Sequence, residues 1–167
     1  PPSLYLGSLA LILALLIGMT AGIIAAVKQN SSVDLTCMGL AVLGISLPTF
    51  LIGPLFQLLF SVHFKIFPIS DYAGGQWNHM VLPAFTLALP FSARIARLMR
   101  AGMLDALRQE YIRTAKAKGL PGWKVVMRHA LRGGIQPVIS FLGPAIASIT
   151  TGSLVVGKIF NMPGLGR

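Results

Sequence analysis

The sequence predicts an all-α membrane protein, a polytopic bundle of about four transmembrane helices forming one domain over residues 1–167. Three observations carry that prediction. Apolar residues make up 54% of the chain and charged residues only 11%, with a mean hydropathy of +0.76. A soluble domain carries about 25% charged residues, so this chain cannot cover a globular surface with polar groups. Long uncharged runs recur, each near the roughly 20 apolar residues that cross a bilayer. Finally, the charge is local: of 14 Lys and Arg, ten lie between Arg94 and Arg132, against four acids (Asp34, Asp71, Asp105, Glu110) and a net charge of +10.

Residues 1–27 hold no charge, and "LYLGSLALILALLIGMTAGIIAAV" supplies a first span that Lys28 ends. "KQNSSVD" (28–34) reads as a short polar turn. The second span is the uncharged run 35–62, which Pro48 and Pro54 should kink; a bundle tolerates this when neighbours satisfy the freed carbonyls. Cys37, the only cysteine, makes no internal disulfide and no metal cage and reads as a small buried side chain. "HFKIFPISDYAGGQWNH" (63–79) has Pro68, the Gly74–Gly75 pair and aromatics suited to a headgroup interface, so it reads as a loop. A third span runs from about 80 to 100 and continues as a helix into water. Arg94, Arg97 and Arg100 recur there at i, i+3, i+6, share a face, and can snorkel to one interface. The fourth span, 133–157, is rich in the Gly, Ala, Ser and Thr that let membrane helices pack closely. The tail is "KIFNMPGLGR".

The opening "PPSLYLGSLALI" has no charged leader and is not a signal peptide, which suggests an internal piece of a longer protein. Basic loops stay in the cytoplasm, so residues 94–132 belong inside. Span three then runs out to in, span two in to out, span one out to in. Both ends of the chain fall outside, as in a fragment lacking a span at each end.

The basic loop, about 101–132, splits at "GLPG" (119–122), where Gly119 can stop one helix and Pro121 start the next. Before the break, Leu107, Tyr111, Ile112 and Ala115 give a modest apolar face, with Arg108, Gln109, Arg113 and Lys116 elsewhere. After it, Trp123, Val126, Met127, Ala130 and Leu131 make an amphipathic stripe, and Lys124, Arg128 and Arg132 another face. That predicts a short helix at the membrane surface. Spacing alone leaves two readings: a loop that only fixes topology, or a rigid knob offered to a cytoplasmic partner.

No catalytic set is present: no supported Ser-His-acid arrangement, no HExxH, no phosphate-cradling GxxxxGK[ST]. His63, His79 and His129 have no ligands at metal-binding spacing. The expectation is therefore no enzyme activity, no metal and no cofactor on this chain, and no nucleic-acid partner, since the basic run is short and the spans are strongly apolar.

"EYIRTAKAKGL", then "RHALRGGIQPVI" and "MPGLGR", resemble the inner-membrane permease subunits of bacterial dipeptide/oligopeptide/nickel ABC importers, of the B type. "AAVKQNSSVD", "GISLPTF" and "SARIARLMRAGML" extend the resemblance over the whole chain. The superfamily's loop signature is an acid, two alanines and, four residues later, a glycine. Ala115 and Gly119 match its last alanine and its glycine, while Arg113 and Thr114 replace the acid and first alanine. Where the broader pattern ends in an isoleucine and Leu-Pro, this chain has His129 and then Leu131-Arg132.

The resemblance implies the helix bundle of a type I ABC importer permease, six spans in full-length relatives, in the bacterial inner membrane. It implies a coupling element of Glu110, Tyr111, Arg113, Thr114, Ala115, Lys116, Ala117, Lys118, Gly119 and Leu120 that docks in a groove of an ATP-binding subunit. Tyr111, Ala115, Ala117 and Leu120 would fill the groove, Arg113, Lys116 and Lys118 pair with acids at its rim, and Gly119 permit the turn. The implied partners are a homologous second permease, two ATP-binding cassette subunits carrying ATP and Mg, an external solute-binding protein and the lipid bilayer; the implied substrate is a short peptide. Ser46, Thr49, Ser140, Ser148, Thr150 and Thr151 would then line a neutral, water-filled path, unless they only bond neighbouring helices. A second reading from another class is a membrane anchor whose basic loop recruits a partner or anionic lipid without transport.

Overall fold

The structure, a computed structural model, describes residues 2–65 and 78–160. Helix α1 (Pro2–Val27) is built from the first uncharged run and ends where Lys28 begins a turn. Helix α2 (Ser32–Ser46) starts at Ser31, whose hydroxyl oxygen accepts the Asp34 N–H (3.4 Å). Leu47 and Pro48 are both extended, and α3 (Thr49–Phe56) then opens, widening into a π-helical stretch, Gln57–His63. The two halves meet at 105°. This corrects the expected kinked span: a proline excludes the helical conformation from the residue before it, so Leu47 leaves the helix and the run breaks. Pro54, by contrast, sits inside α3.

Helix α4 (Asn78–Leu107) accommodates Pro83 and Pro90. Two short helices, α5 (Glu110–Ala117) and α6 (Gly122–Lys124), a π-helical stretch (Val125–Ala130) and α7 (Leu131–Gly134) lead to α8 (Gln136–Ile159), which has Pro137 in its first turn. No strand occurs among the described residues. Segments within α1, α4 and α8 are long and apolar enough to cross a membrane, and the bent α2–α3 pair is a fourth if a broken span is counted. The expected interfacial loop lies largely in residues 66–77, and most of the tail in 161–167, outside the described residues.

Helix α4 is the centre: α1, α2 and α8 all pack on it. Its buried face carries Ala84, Leu87, Ala88, Ile95, Met99 and Met103. Lipid tails are as apolar as side chains, so close van der Waals packing must hold such helices together. Gly18 and Gly22 of α1 provide it: a Cβ at either would fall 2.6 Å from the Ser92 or Ala96 carbonyl oxygen of α4. Large apolar side chains of α1, including Ile12, Leu16 and Ile24, point outward, as a lipid-facing surface requires.

Candidate functional site

Beyond the third span, α4 runs on into the basic segment, and Met99, Met103 and Ala106 give it a buried side there. Helix α5 lays Ile112 and Ala115 into the same core. Ala115 therefore packs on its own chain and is not free to fill a partner's groove. Glu110, Tyr111, Arg113, Thr114, Lys116, Ala117 and Lys118 face outward. Arg113 reaches Glu110 (Nη1–Oε1 3.0 Å) at one exposed turn, and the Thr114 hydroxyl donates to the Glu110 carbonyl (3.1 Å). An exposed pair of this kind contributes little to stability.

The "AKAKGL" run then makes a helix stop. Gly119 takes φ +73°, its N–H donates to the Lys116 carbonyl (2.9 Å), and the Leu120 N–H donates to the Ala115 carbonyl (3.4 Å). These are the two bonds of the Schellman motif, and a residue with a side chain is strained at that φ. Leu120 packs against the core as the turn closes. Lys118 and Gly119 stay at the exposed tip.

After Pro121 the outcome differs from the expected stripe. Residues 125–130 wind as a π-helix, in which i and i+5 come into register. Val125 and Ala130 are consequently the buried pair, while Trp123 is 67% and Met127 52% exposed. With Val27, Leu107, Lys116 and Val126 those two line an open hollow of about 560 Å³. The Lys124 ammonium lies 5.6 Å from the centre of the Trp123 ring, at cation–π distance. His129 approaches the Lys124 carbonyl through Nδ1 (3.4 Å) and is half-buried. Among the described residues no group of three or more His, Cys, Asp or Glu is placed to hold a metal ion.

The segment is fused to the spans. Gly102 of α4 meets the backbone of Gly134 in α7 so closely that a Cβ would not fit, and Met103 packs on Gly134 from the same side. Ile112, Ala115, Val125 and Ala130 belong to one apolar core with Ile95, Met99 and Leu87. The exposed tip is thus joined to α4 through packed side chains and touching backbones.

One ion pair was not foreseen. Arg100 does not snorkel; its Nε and Nη2 donate to Asp34 Oδ1 (2.6 Å) and Oδ2 (2.7 Å). The Asp34 side chain is 4% exposed, and its Oδ2 also accepts the N–H of Asn30 (2.9 Å), which sits at φ 60° in the turn after α1. The sequence signal was present: Asp34 is the one acid of the polar turn 28–34, and Arg100 ends the i, i+3, i+6 series. Their separation of 66 residues hid the pairing.

Of the hydroxyls expected along a path, Ser140, Ser148, Thr150 and Thr151 all lie on the exposed face of α8. Ser140 donates to the Gln136 carbonyl (3.2 Å); Thr150 (2.7 Å) and Thr151 (3.1 Å) donate to that of Ala147. Ser148 and Thr151, with Ala147, Gly152 and Val155, line an open hollow of about 440 Å³. Ser46 bonds back to the Val42 carbonyl (2.7 Å) at the end of α2, and Thr49 opens α3; neither lines that hollow.

Residues 18–167 match the family described as "Binding-protein-dependent transport system inner membrane component". The whole chain is 42% identical to the oligopeptide transport system permease protein OppB of Escherichia coli (strain K12), covering 55% of that protein. It is 47% identical to the dipeptide transport system permease protein DppB of Bacillus subtilis (strain 168), covering 54% of it. Over 99% of the chain it is 42% identical to the glutathione transport system permease protein GsiC of Escherichia coli O1:K1 / APEC, again covering 54%. The chain spans about half the length of these relatives. With the match covering residues 18–167, the chain belongs to the family of inner membrane components of binding-protein-dependent transport systems.

Proposed function

We propose that this chain is the span-and-coupling part of a permease subunit of an ATP-binding-cassette importer, moving short peptides inward by alternating access. The carrying observation is mechanical. The exposed tip at Lys116–Gly119 stands on a base whose buried residues are continuous with the core around α4. A cytoplasmic ATP-binding subunit that grips Tyr111, Arg113, Thr114, Lys116, Ala117 and Lys118 therefore moves α4, and with it α1 and α2, as a body. Two such subunits would close on ATP, with Mg and nucleotide held on them. A homologous second permease would complete the path, and an external solute-binding protein would load it. The names of the relatives, oligopeptide, dipeptide and glutathione permeases, support a peptide-like substrate.

The basic segment lies in the cytoplasm in this reading, as the retention of positive loops favours. The outward face of α8, with Ser148 and Thr151 at its hollow, would line a path without fixed charge, in which hydroxyl oxygens accept from peptide N–H groups. Gly119→Val tests the coupling. ATP-dependent peptide uptake is lost while insertion and assembly persist; uptake at the original rate would leave the segment a mere anchor.

A further inference from the structure

Arg100 is matched by Asp34, but the two arginines before it in the series are not. Arg94 and Arg97 are exposed, and among the described residues neither makes an ion pair or a side-chain hydrogen bond. Both line an open hollow of about 440 Å³ between three helices, walled by Ile45 of α2, Leu98 and Ala101 of α4, and Phe141 of α8. Two fixed positive charges thus sit on an otherwise apolar groove.

Depth selects the occupant. At 1.5 Å per residue, Arg94 lies ~22 Å and Arg97 ~27 Å along α4 from His79, against a hydrocarbon layer of ~30 Å. With His79 at the opposite interface, as the proposed orientation has it, both guanidinium groups would reach the headgroup level of the leaflet at the basic end, with their stems along the groove. An unpaired guanidinium there calls for an anion, and its planar fork fits the paired oxygens of a phosphate. Basic pockets between membrane helices on the cytoplasmic side are where anionic headgroups bind. The apolar walls of Ile45, Leu98 and Phe141 suit an acyl chain better than a polar solute.

We propose that Arg94 and Arg97 form a binding site for the phosphate of an anionic phospholipid of the inner leaflet, whose acyl chain lies in the groove between α2, α4 and α8. The site rests on the proposed orientation, with the basic end at the inner leaflet.

Native mass spectrometry of the intact permease tests this, with phosphatidylglycerol, phosphatidylethanolamine and glycerol 3-phosphate as probes. Wild type retains phosphatidylglycerol over phosphatidylethanolamine by about tenfold or more: both offer the phosphate, but the ethanolamine ammonium would meet two guanidinium charges, a repulsion of that scale at a few ångströms. That preference disappears in Arg94→Gln/Arg97→Gln and survives in Arg94→Lys/Arg97→Lys and in Lys124→Gln/Arg128→Gln. Four results would overturn the proposal: an unchanged preference in the double Gln protein, no preference in wild type, displacement of the lipid by glycerol 3-phosphate at equal concentration, or loss of peptide uptake in the Gln protein with lipid retention intact. The last would assign the hollow to the peptide path. ATP-dependent uptake and sidedness labelling of the same wild-type preparation check the permease reading separately, so a missing lipid preference beside intact uptake defeats only this site.

Discussion

Arg100 grips both oxygens of Asp34, Nε to Oδ1 at 2.6 Å and Nη2 to Oδ2 at 2.7 Å, and so ties the turn after α1 to the central helix. The same carboxylate holds the Asn30 N–H in that turn. Removing one partner of this part-buried pair leaves the other without its hydrogen bonds, at a cost of about 1–3 kcal/mol. Asp34→Asn and Arg100→Gln should each lower the melting temperature of the detergent-solubilised permease. Arg100→Lys keeps the charge but not the fork, so it should fall between. The exchanged protein, Asp34→Arg with Arg100→Asp, should recover part of the loss. A double-mutant cycle with no coupling energy would contradict the tie.

The close approach of α1 to α4 makes a second prediction. Gly22 has no room for a side chain: its Cβ would fall 2.6 Å from the Ala96 carbonyl oxygen, an atom that cannot rotate away. Gly22→Leu should abolish the monodisperse peak of the solubilised permease in size-exclusion chromatography. Gly39→Ala, with nothing within 4 Å of the added methyl, should leave it intact.

Most of the helices were legible in the sequence, because uncharged runs of span length and a basic segment with a Gly-Pro break are one-dimensional signals. The GLPG break in particular carries its own chemistry, and Gly119 appears at φ +73° where a helix stop needs it. What escaped were features that depend on a partner distant in sequence or on a change of helical pitch. The 105° break at Leu47–Pro48 exceeds a kink because Leu47 leaves the helix together with the proline. The stripe from Trp123 to Leu131 assumes 3.6 residues per turn; the π-helical winding buries Val125 instead and leaves Trp123 outside. The apolar face with Ile112 and Ala115 was legible from spacing, but what it packs on was not: both side chains enter the chain's own core.

At the tip of the basic segment, backbone strain orders the substitutions. The left-handed conformation costs a residue with a Cβ about 1–2 kcal/mol, and Asn tolerates it better than most. Gly119→Asn should retain most ATP-dependent uptake, Gly119→Ala less and Gly119→Val least. Gly122→Ala, where the added methyl meets nothing within 4 Å, should be near wild type. Equal uptake across the Gly119 series would separate the turn from transport.

Along α8, side-chain size at the Ser148–Thr151 hollow should control flux. Ser148→Leu fills the space and should slow peptide uptake several-fold, while Thr151→Val, which removes only the hydroxyl at nearly constant volume, should have a smaller effect. Basal ATP hydrolysis by the assembled transporter should stay within about twofold in both, since neither residue is in the coupling segment. Unchanged uptake in Ser148→Leu would remove this face from the path.

Sidedness of the basic segment is the most direct measurement. Lys116→Cys, placed in a Cys37→Ala background, is treated with a membrane-impermeant maleimide in right-side-out and in inverted membrane vesicles. Labelling is expected in inverted vesicles alone, with protection when the ATP-binding subunits are bound. Labelling of right-side-out vesicles would put the segment on the outer surface, beyond the reach of any cytoplasmic motor, and would contradict the coupling mechanism.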